Sequence, residues 1–178
     1  ADRLEAHLKA RPLAPAIVIS DERGAVLETG GGLKAARPLL GEAPIFVANI
    51  DSVWRETGQP IAEALKVAWD PERMDALLLV VPKERAFQHR GKGDFHMDPL
   101  GRISRRRTGR IAPFIYSGIQ IVSHRLMRDA PEGAFSTSQL WDRAIAEGRL
   151  FGTSHLGLWY EVGEPDMIAP TEIALRQD

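Results

Sequence analysis

The 178-residue sequence contains no cysteine. Disulfide bonds and thiolate metal sites are therefore excluded. The sequence also has almost no net charge, because 23 lysine and arginine residues face 24 aspartate and glutamate residues. No global field therefore selects nucleic acid or a membrane surface as a partner. No apolar run approaches transmembrane length and no signal-peptide pattern opens the chain, so we expect a cytoplasmic protein without a membrane partner.

The apolar residues that are present fall into alternating helix and strand patterns. Hydrophobic residues make up 44% of the chain, which suits one globular domain over residues 1–178. The alternation favours a mostly parallel sheet covered by helices on both faces. Predicted helices are 1–11 (ended by Pro12 and Pro15), 33–40, 61–69, 137–146 and 165–176. Predicted strands are 16–20, 25–28, 45–49, 75–81, 114–122, 150–155 and 158–162.

Two of these strands end in carboxylates. Strand 45–49 runs into Asp51, and strand 158–162 carries Glu161 and turns at Gly163. Because ligands bind at the carboxyl ends of strands in α/β sheets, the two carboxylates can converge on one divalent cation such as Mg²⁺. Taken singly, Asp51 is more often a turn or cap residue, and Glu161 more often pairs with an arginine.

Two further features suit anion binding. Thr29 is followed by a glycine triplet at 30–32, where backbone amides and a helix N-terminus can approach a phosphate or base. A flexible turn without a ligand explains the triplet equally well. Residues 102–110 hold five arginines, which suit phosphate or nucleic acid. An exposed basic loop is preferred at roughly two to one, because no aromatic residue interleaves the run.

Six short motifs together resemble those of the sugar-1-phosphate nucleotidyltransferases. The likeness is greatest to the bacterial branch of mannose-1-phosphate guanylyltransferase-like and N-acetylmuramate α-1-phosphate uridylyltransferase-like proteins, and it covers nearly all of the chain. Each motif is common by itself, but the six stand in the family's order. They are E-T-G-G-G-L at 28–33, N-I-D at 49–51, G-D-F at 93–95, Y-S-G-I at 116–119, and the segments 135–141 and 159–165.

The resemblance implies a Rossmann-like, three-layer α/β/α nucleotidyltransferase fold with a mostly parallel mixed sheet. It implies that a nucleoside triphosphate (UTP or GTP) and a sugar 1-phosphate give an NDP-sugar and pyrophosphate, with Mg²⁺ as cofactor. Asp51 would be the catalytic, metal-binding aspartate, and Glu161 would occupy the second metal position. The implied nucleotide-binding residues are Glu28, Thr29, Gly30, Gly31 and Gly32. The implied sugar-binding residues are Gly93, Tyr116, Ser117 and Gly118.

The sequence departs from the family pattern at three places. The family's N-terminal phosphate loop, G-x-G-T-R-M-x-P, is absent, so we expect an N-terminally incomplete domain that lacks its first strands. Glu161 replaces the usual aspartate, and Ile50 replaces the glycine between Asn49 and Asp51. An alternative is therefore a catalytically incomplete remnant or regulatory domain that binds a nucleotide sugar or a protein partner. Open sheet edges leave self-association into a homo-oligomer as a further possibility, whereas no nucleic-acid partner is expected.

Overall fold

The structure is a computed structural model that describes residues 1–11 and 15–177, without the side chain of residue 177. These residues form five α-helices and nine strands. The helices are α1 Asp2–Lys9, α2 Glu28–Leu40, α3 Ile61–Ala68, α4 Thr137–Ala146 and α5 Pro165–Gln177. The strands are β1 Ile45–Ala48, β2 Ser52–Arg55, β3 Ala76–Pro82, β4 Ala86–Phe87, β5 Phe95–Met97, β6 Ile103–Arg105, β7 Phe114–Val122, β8 Leu150–Ser154 and β9 Leu158–Glu161.

A six-stranded mixed sheet lies at the centre of the molecule. Its order is β6-β5-β7-β3-β8, and β1 also pairs with β7. The long strand β7 is antiparallel to β1, β3 and β5, whereas β3 and β8 are parallel. The expected α/β class with a mixed sheet is confirmed.

The balance of strand directions differs from the expectation of a mostly parallel sheet. Among the described residues, the β3–β8 pair is the one parallel pair of the large sheet. The continuous apolar run of β3 reflects burial on both faces, because all six residues 76–81 are buried. Burial on both faces produces such a run whatever the direction of the neighbouring strands, so the run alone did not reveal that β7 is antiparallel to β3.

The two faces of the large sheet carry separate apolar clusters, which gives the three expected layers. On one face, Ala76, Leu78 and Val80 of β3 pack with Leu140 and Trp141 of α4. The intervening residues Leu77 and Leu79 pack with Ile61 and Leu65 of α3 on the other face. This alternation follows from the two-residue period of a strand.

A smaller sheet of order β2-β9-β4 is attached to the middle of β7. The backbone carbonyl of Ser117 accepts hydrogen bonds from the Ser52 hydroxyl at 3.2 Å and from the Trp159 indole at 3.1 Å. Ser52 belongs to β2 and Trp159 to β9, so a single carbonyl of β7 receives side chains from two strands of the small sheet.

Two predicted strands near the start of the chain are not formed. Residues 16–20 have no strand structure, although Ile17, Val18 and Ile19 favour one locally. A strand needs a neighbour, and these side chains are exposed without a paired strand among the described residues. Residues 25–27 are likewise irregular, and Glu28 already begins α2. The predicted helix stop at Pro12 lies outside the described residues.

Candidate active site

Asp51 lies where the chain passes from β1 in the large sheet to β2 in the small sheet. Its backbone carbonyl accepts a hydrogen bond of 2.9 Å from the Val162 amide. Its carboxylate is exposed and has no hydrogen bond or ion pair with another described residue. Gly163 is close by, since a Cβ added there would lie 4.0 Å from the Cβ of Asp51. In the described part of the chain, no protein group therefore occupies the Asp51 carboxylate, which can take a ligand.

Glu161 is the last residue of β9 and lies directly opposite Ser52 of β2, the residue that follows Asp51. This register brings the residues Asp51 and Glu161 to the same end of the small sheet. The Oε2 atom of Glu161 is 3.0 Å from Nδ1 of His89, and 37% of the glutamate side chain is exposed. The partner of Glu161 is thus a histidine, where sequence reasoning favoured an arginine.

Asn49 joins the N-I-D motif to the Y-S-G-I motif. The backbone amide of Asn49 donates a hydrogen bond of 2.9 Å to the backbone carbonyl of Gly118. Its side chain lies over Gly118, where an added Cβ would be 3.0 Å from the Cβ of Asn49. Ile50, which replaces a glycine of the family pattern, is 95% exposed. Its branched side chain therefore points into solvent and does not crowd the backbone contact.

Tyr116 lies beside this point on the helix-covered face of the large sheet. Its ring packs edge-to-face on Trp141, with 4.8 Å between centroids. Burial raises the pKa of the Tyr116 hydroxyl, and the negative charge of Asp51 raises it further. The side chain of Gln120 lowers this pKa, by less than burial raises it. The hydroxyl is buried and has no hydrogen-bond partner of normal geometry among the described residues. It therefore remains protonated within electrostatic reach of Asp51.

Gly93 and Asp94 approach the start of β7. Gly93 is buried with φ of +76°, and a Cβ there would lie 2.1 Å from the Ala112 carbonyl oxygen. Only glycine fits both the left-handed backbone and this contact. The Asp94 carboxylate then accepts a hydrogen bond of 2.9 Å from the Tyr116 amide. The structure thus places Gly93 against the segment 112–114 that leads into β7, and Asp94 beside Tyr116 on that strand.

The predicted nucleotide-binding residues lie in the first turn of α2, and not in a loop as expected. The amides of Gly30 and Gly31 donate to the Phe135 carbonyl at 2.8 and 3.1 Å. A Cβ at Gly30 would lie 2.3 Å from the Phe135 ring. Thr29 accepts a hydrogen bond of 3.1 Å from the Thr137 amide. Close packing against residues 133–135, which lead into α4, therefore accounts for two of the glycines, and contact of residues 28–32 with a nucleotide base stays a prediction.

The donor set at this end of the small sheet suits Mg²⁺. No cluster of three or more histidine, aspartate or glutamate side chains arranged for a metal is found within residues 1–11 and 15–177. Asp51 and Glu161 together offer two carboxylates; among the described residues, the first has no partner and the second has a single histidine contact. Mg²⁺ is commonly bound by one or two carboxylates, with water and substrate phosphates as its remaining ligands. These residues therefore fit a magnesium ion bound jointly with a phosphate substrate.

Sequence reasoning missed His89 as a member of this region, and it named Asp94 only as part of the G-D-F motif, without a role of its own. Both lie in the polar segment 82–110, where no periodicity indicates structure. His89 reaches Glu161 only because the two-residue strand β4 pairs with β9. A pair of that length leaves almost no signal in sequence.

Comparison with known proteins places the chain in a family. No protein-family profile matches it. It is 44% identical over 180 residues to the N-acetylmuramate α-1-phosphate uridylyltransferase of Caulobacter vibrioides, covering 99% of this chain and 74% of that protein. It is 29% identical over 149 residues to the Neisseria meningitidis protein of the same name, covering 83% of this chain and 62% of that protein. The solved structure of HddC from Yersinia pseudotuberculosis complexed with GMP-PN matches 98% of this chain and 73% of that chain, with a TM-score of 0.67 at 15% identity.

The three-layer architecture is the Rossmann-like fold of nucleotidyltransferases, as expected. The chain belongs to the family of N-acetylmuramate α-1-phosphate uridylyltransferases, within the sugar-1-phosphate nucleotidyltransferases. In that class, a nucleoside triphosphate and a sugar 1-phosphate give an NDP-sugar and pyrophosphate. Among the described residues, no helix is both long and apolar enough to cross a membrane.

Proposed function

We propose that this chain transfers the uridylyl group of UTP to N-acetylmuramate α-1-phosphate. The observation that carries the proposal is the convergence of Asp51, Glu161 and the Tyr116–Ser117–Gly118 stretch at the junction of the two sheets. The 44% identity to the Caulobacter vibrioides enzyme supports the choice of base and sugar. The cytoplasmic location and a homo-oligomeric state stay predictions.

The reaction is an in-line displacement at phosphorus. A phosphate oxygen of the sugar 1-phosphate forms a bond to the α-phosphorus of UTP, and the bond from that phosphorus to the α–β bridging oxygen breaks as pyrophosphate leaves. No covalent intermediate is needed, so catalysis consists of positioning and charge neutralisation. A bound Mg²⁺ would supply the charge neutralisation.

Three groups of residues would bind the cation, the sugar and the base. Asp51 and Glu161 would hold the cation at the end of the small sheet. Gly93, Tyr116, Ser117 and Gly118 would line the sugar side, where Gly118 keeps side-chain atoms away from Asn49. Residues 28–32, at the start of α2, would face the base.

A pyrophosphate-release assay tests the proposal. UTP and GTP are each offered with Mg²⁺ and the 1-phosphates of N-acetylmuramate, mannose and glucose. We expect the largest kcat/KM for UTP with N-acetylmuramate α-1-phosphate. If no pair releases pyrophosphate while a nucleotide sugar still raises the melting temperature, the chain is the non-catalytic remnant or regulatory domain considered above.

The substitution Asp51→Asn tests the catalytic role of Asp51. Loss of a residue that supports a metal ligand typically lowers activity by roughly tenfold to hundredfold. We expect Asp51→Asn to lower kcat by more than this, because Asp51 would bind the metal directly. The melting temperature should change little, because the carboxylate is exposed and has no partner among the described residues. Asp129→Asn is the matched control, since Asp129 is exposed and asparagine tolerates its φ of +56°. Activity retained in Asp51→Asn would remove Asp51 from the mechanism.

A further inference from the structure

The strand β4 delivers His89 to the side chain of Glu161. β4 runs parallel to β9, with Ala86 opposite Trp159 and Phe87 opposite Tyr160. Immediately after β4 the chain bends at Gln88, which has a φ of +65°. The next residue, His89, is thereby turned towards the end of β9, where Glu161 lies.

The bend at Gln88 is anchored to the C-terminal helix. The Gln88 side-chain amide donates to the Thr171 hydroxyl at 2.6 Å and to the Met167 carbonyl at 3.1 Å. It also lies 3.4 Å from the backbone carbonyl of Glu161. Because three acceptors on α5 and β9 hold one amide, the segment that carries His89 has a fixed position relative to Glu161.

The imidazole ring of His89 is enclosed. Only 16% of the side chain is exposed, and the ring lies edge-on to Trp159, with 6.5 Å between centroids. Gly91 lies against the ring at Nε2, since a Cβ added there would be 2.3 Å from that atom. Nε2 is buried and has no hydrogen-bond partner among the described residues. Within that part of the chain, the polar contact of the ring is with Glu161.

This arrangement decides which atoms of Glu161 remain for a ligand. A carboxylate only accepts hydrogen bonds when ionised, so Nδ1 carries the proton and donates to Oε2 at 3.0 Å. Oε1 forms no hydrogen bond or ion pair with another described residue. A glutamate has one more rotatable bond than the aspartate usual in the family, and ordering it costs more conformational entropy. A fixed imidazole lowers that cost at the moment of binding, because the carboxylate is already held.

We propose that His89 is a positioning residue that holds Glu161 so that its second oxygen shares a divalent cation with Asp51. The inference rests on the proposed function, which places a cation between these two carboxylates. Histidine–carboxylate contacts of this kind around metal ligands typically change metal affinity by about tenfold to hundredfold when removed.

The test measures the dissociation constant of Mn²⁺ directly, by electron paramagnetic resonance of the free ion, in the full chain without substrates. We expect His89→Phe, which keeps an aromatic ring but no donor, to weaken Mn²⁺ binding about tenfold to hundredfold. His89→Asn should restore most of the affinity, because its amide nitrogen stands at the position of Nδ1. At saturating metal, kcat of His89→Phe should approach that of the parent, so that the loss appears in the metal dependence.

A second substitution covers the case in which His89→Phe does not fold. Gly91→Ala leaves the imidazole intact but places a methyl group 2.3 Å from the present position of Nε2, so the ring must shift and its contact with Glu161 is disturbed. The same loss of Mn²⁺ affinity is expected. Circular dichroism and the melting temperature establish that each variant is folded before its affinity is compared.

The variants Asp51→Asn and Glu161→Gln distinguish a failure of the proposed cation site from a failure of the role proposed for His89. If neither of them changes Mn²⁺ affinity, the proposed cation site is wrong and the inference falls with it. If both weaken binding while folded His89→Phe and Gly91→Ala bind Mn²⁺ as the parent does, the cation site stands and the role of His89 is overturned.

Discussion

At the scale of single residues, the backbone of Gly118 adopts a left-handed conformation beneath Asn49. Its φ of +88° is strained for any residue with a Cβ, and the space above it is filled by the Asn49 side chain. Asn49 is two residues before Asp51, so the shape of β7 at this glycine fixes the position of the 49–51 motif.

We predict that Gly118→Ala will lower both stability and activity. The left-handed backbone should cost about 1 to 2 kcal/mol, and the contact of the new methyl group with Asn49 should shift the 49–51 motif. Gly109→Ala is the matched control, because Gly109 has a φ of +76° with nothing within 4 Å of an added Cβ. Urea denaturation and kcat/KM are measured for both. Equal loss of activity in the two variants would show that the Asn49 contact does not matter.

The sequence indicated those residues of the candidate site that belong to recognisable motifs. Asp51, Glu161 and Gly118 stand in motifs with a recognisable order, and the structure brings them to one end of the small sheet. His89 has no such context. It gains its position from a two-residue strand and a bend at Gln88, and neither follows from local residue preference.

At the scale of elements, the start of α2 shows how a glycine triplet can serve packing. Gly30 and Gly31 both donate to the Phe135 carbonyl, and Gly30 lies against the Phe135 ring. Glycine in a helix normally lowers stability by roughly 0.5 to 1 kcal/mol relative to alanine. Its presence here is explained by the close approach of α2 to the segment that leads into α4.

Gly30→Ala and Gly32→Ala should therefore have opposite effects on stability. At Gly30 the new methyl group meets the Phe135 ring at 2.3 Å, and overpacking of this kind costs about 1 to 3 kcal/mol. At Gly32 it meets only the end of the flexible Glu22 side chain, so the gain in helix propensity should prevail. Thermal denaturation of the two variants decides the matter. A Gly30→Ala protein as stable as the parent would contradict the packing role.

An ion cluster around the buried Asp75 joins the starts of β3 and β8 to the segment that follows β7. Asp75, which precedes β3 and has a side chain only 5% exposed, accepts hydrogen bonds from Nε of Arg125 at 2.9 Å and from Nε of Arg149 at 2.7 Å. Burial by itself would raise the pKa of Asp75, but the hydrogen bonds from Arg149 and Arg125 hold it below its ordinary value of 3.8. The cluster ties β3 to the turn after β7 and to the start of β8.

We predict that Asp75→Asn destabilises the protein by about 3 kcal/mol, because two guanidinium groups lose their buried anion. A carboxylate with a lowered folded-state pKa contributes stability above its ordinary pKa, and the contribution disappears as the pH falls through the folded-state value. The difference between parent and variant in urea denaturation should therefore shrink below about pH 4. Glu132→Gln, which removes an exposed partner of Lys34, should change stability by less than about 1 kcal/mol at any pH.

Long, strongly patterned elements were the ones that the sequence predicted well. β7 and α4 have the predicted bounds, 114–122 and 137–146. Their apolar residues face clusters on the large sheet, so burial and local preference agree. The segment 16–20 is rich in β-branched residues, as β7 is, but it has no strand partner among the described residues. The direction of β7 relative to its neighbours could not be predicted either, because it depends on pairings between distant segments.

At the scale of the whole molecule, positive charge is concentrated in one stretch of a nearly neutral chain. Residues 83–110 contain nine lysine and arginine residues against three acidic residues, while the formal charge of the chain is −1. Part of the arginine run is structural: Arg105 pairs with Asp142 at 2.8 Å, and Arg106 donates to the Gly93 carbonyl at 2.8 Å. Arg107 and Arg110 line an open cavity on the surface, together with Arg105. Both substrates of the proposed reaction are anions, so this stretch should attract them.

We predict that kcat/KM falls as salt is raised from about 0.01 M to about 0.15 M, because the screening length drops from about 30 Å to about 8 Å. Substituting both Arg107 and Arg110 with alanine should flatten this dependence and leave kcat unchanged. Arg3→Ala, an exposed change on α1, serves as the control. A salt slope that is the same in all three proteins would exclude electrostatic attraction through these arginines.

The hydrogen bond from Trp159 to the Ser117 carbonyl has one more consequence. The indole belongs to the small sheet, its acceptor belongs to the central strand of the large sheet, and Trp54 of β2 lies opposite Trp159 in the strand register. Any displacement of one sheet against the other would alter the polarity around this chromophore. A variant that keeps Trp159 as its sole tryptophan would thus report movements of the site through its emission spectrum, without an attached label.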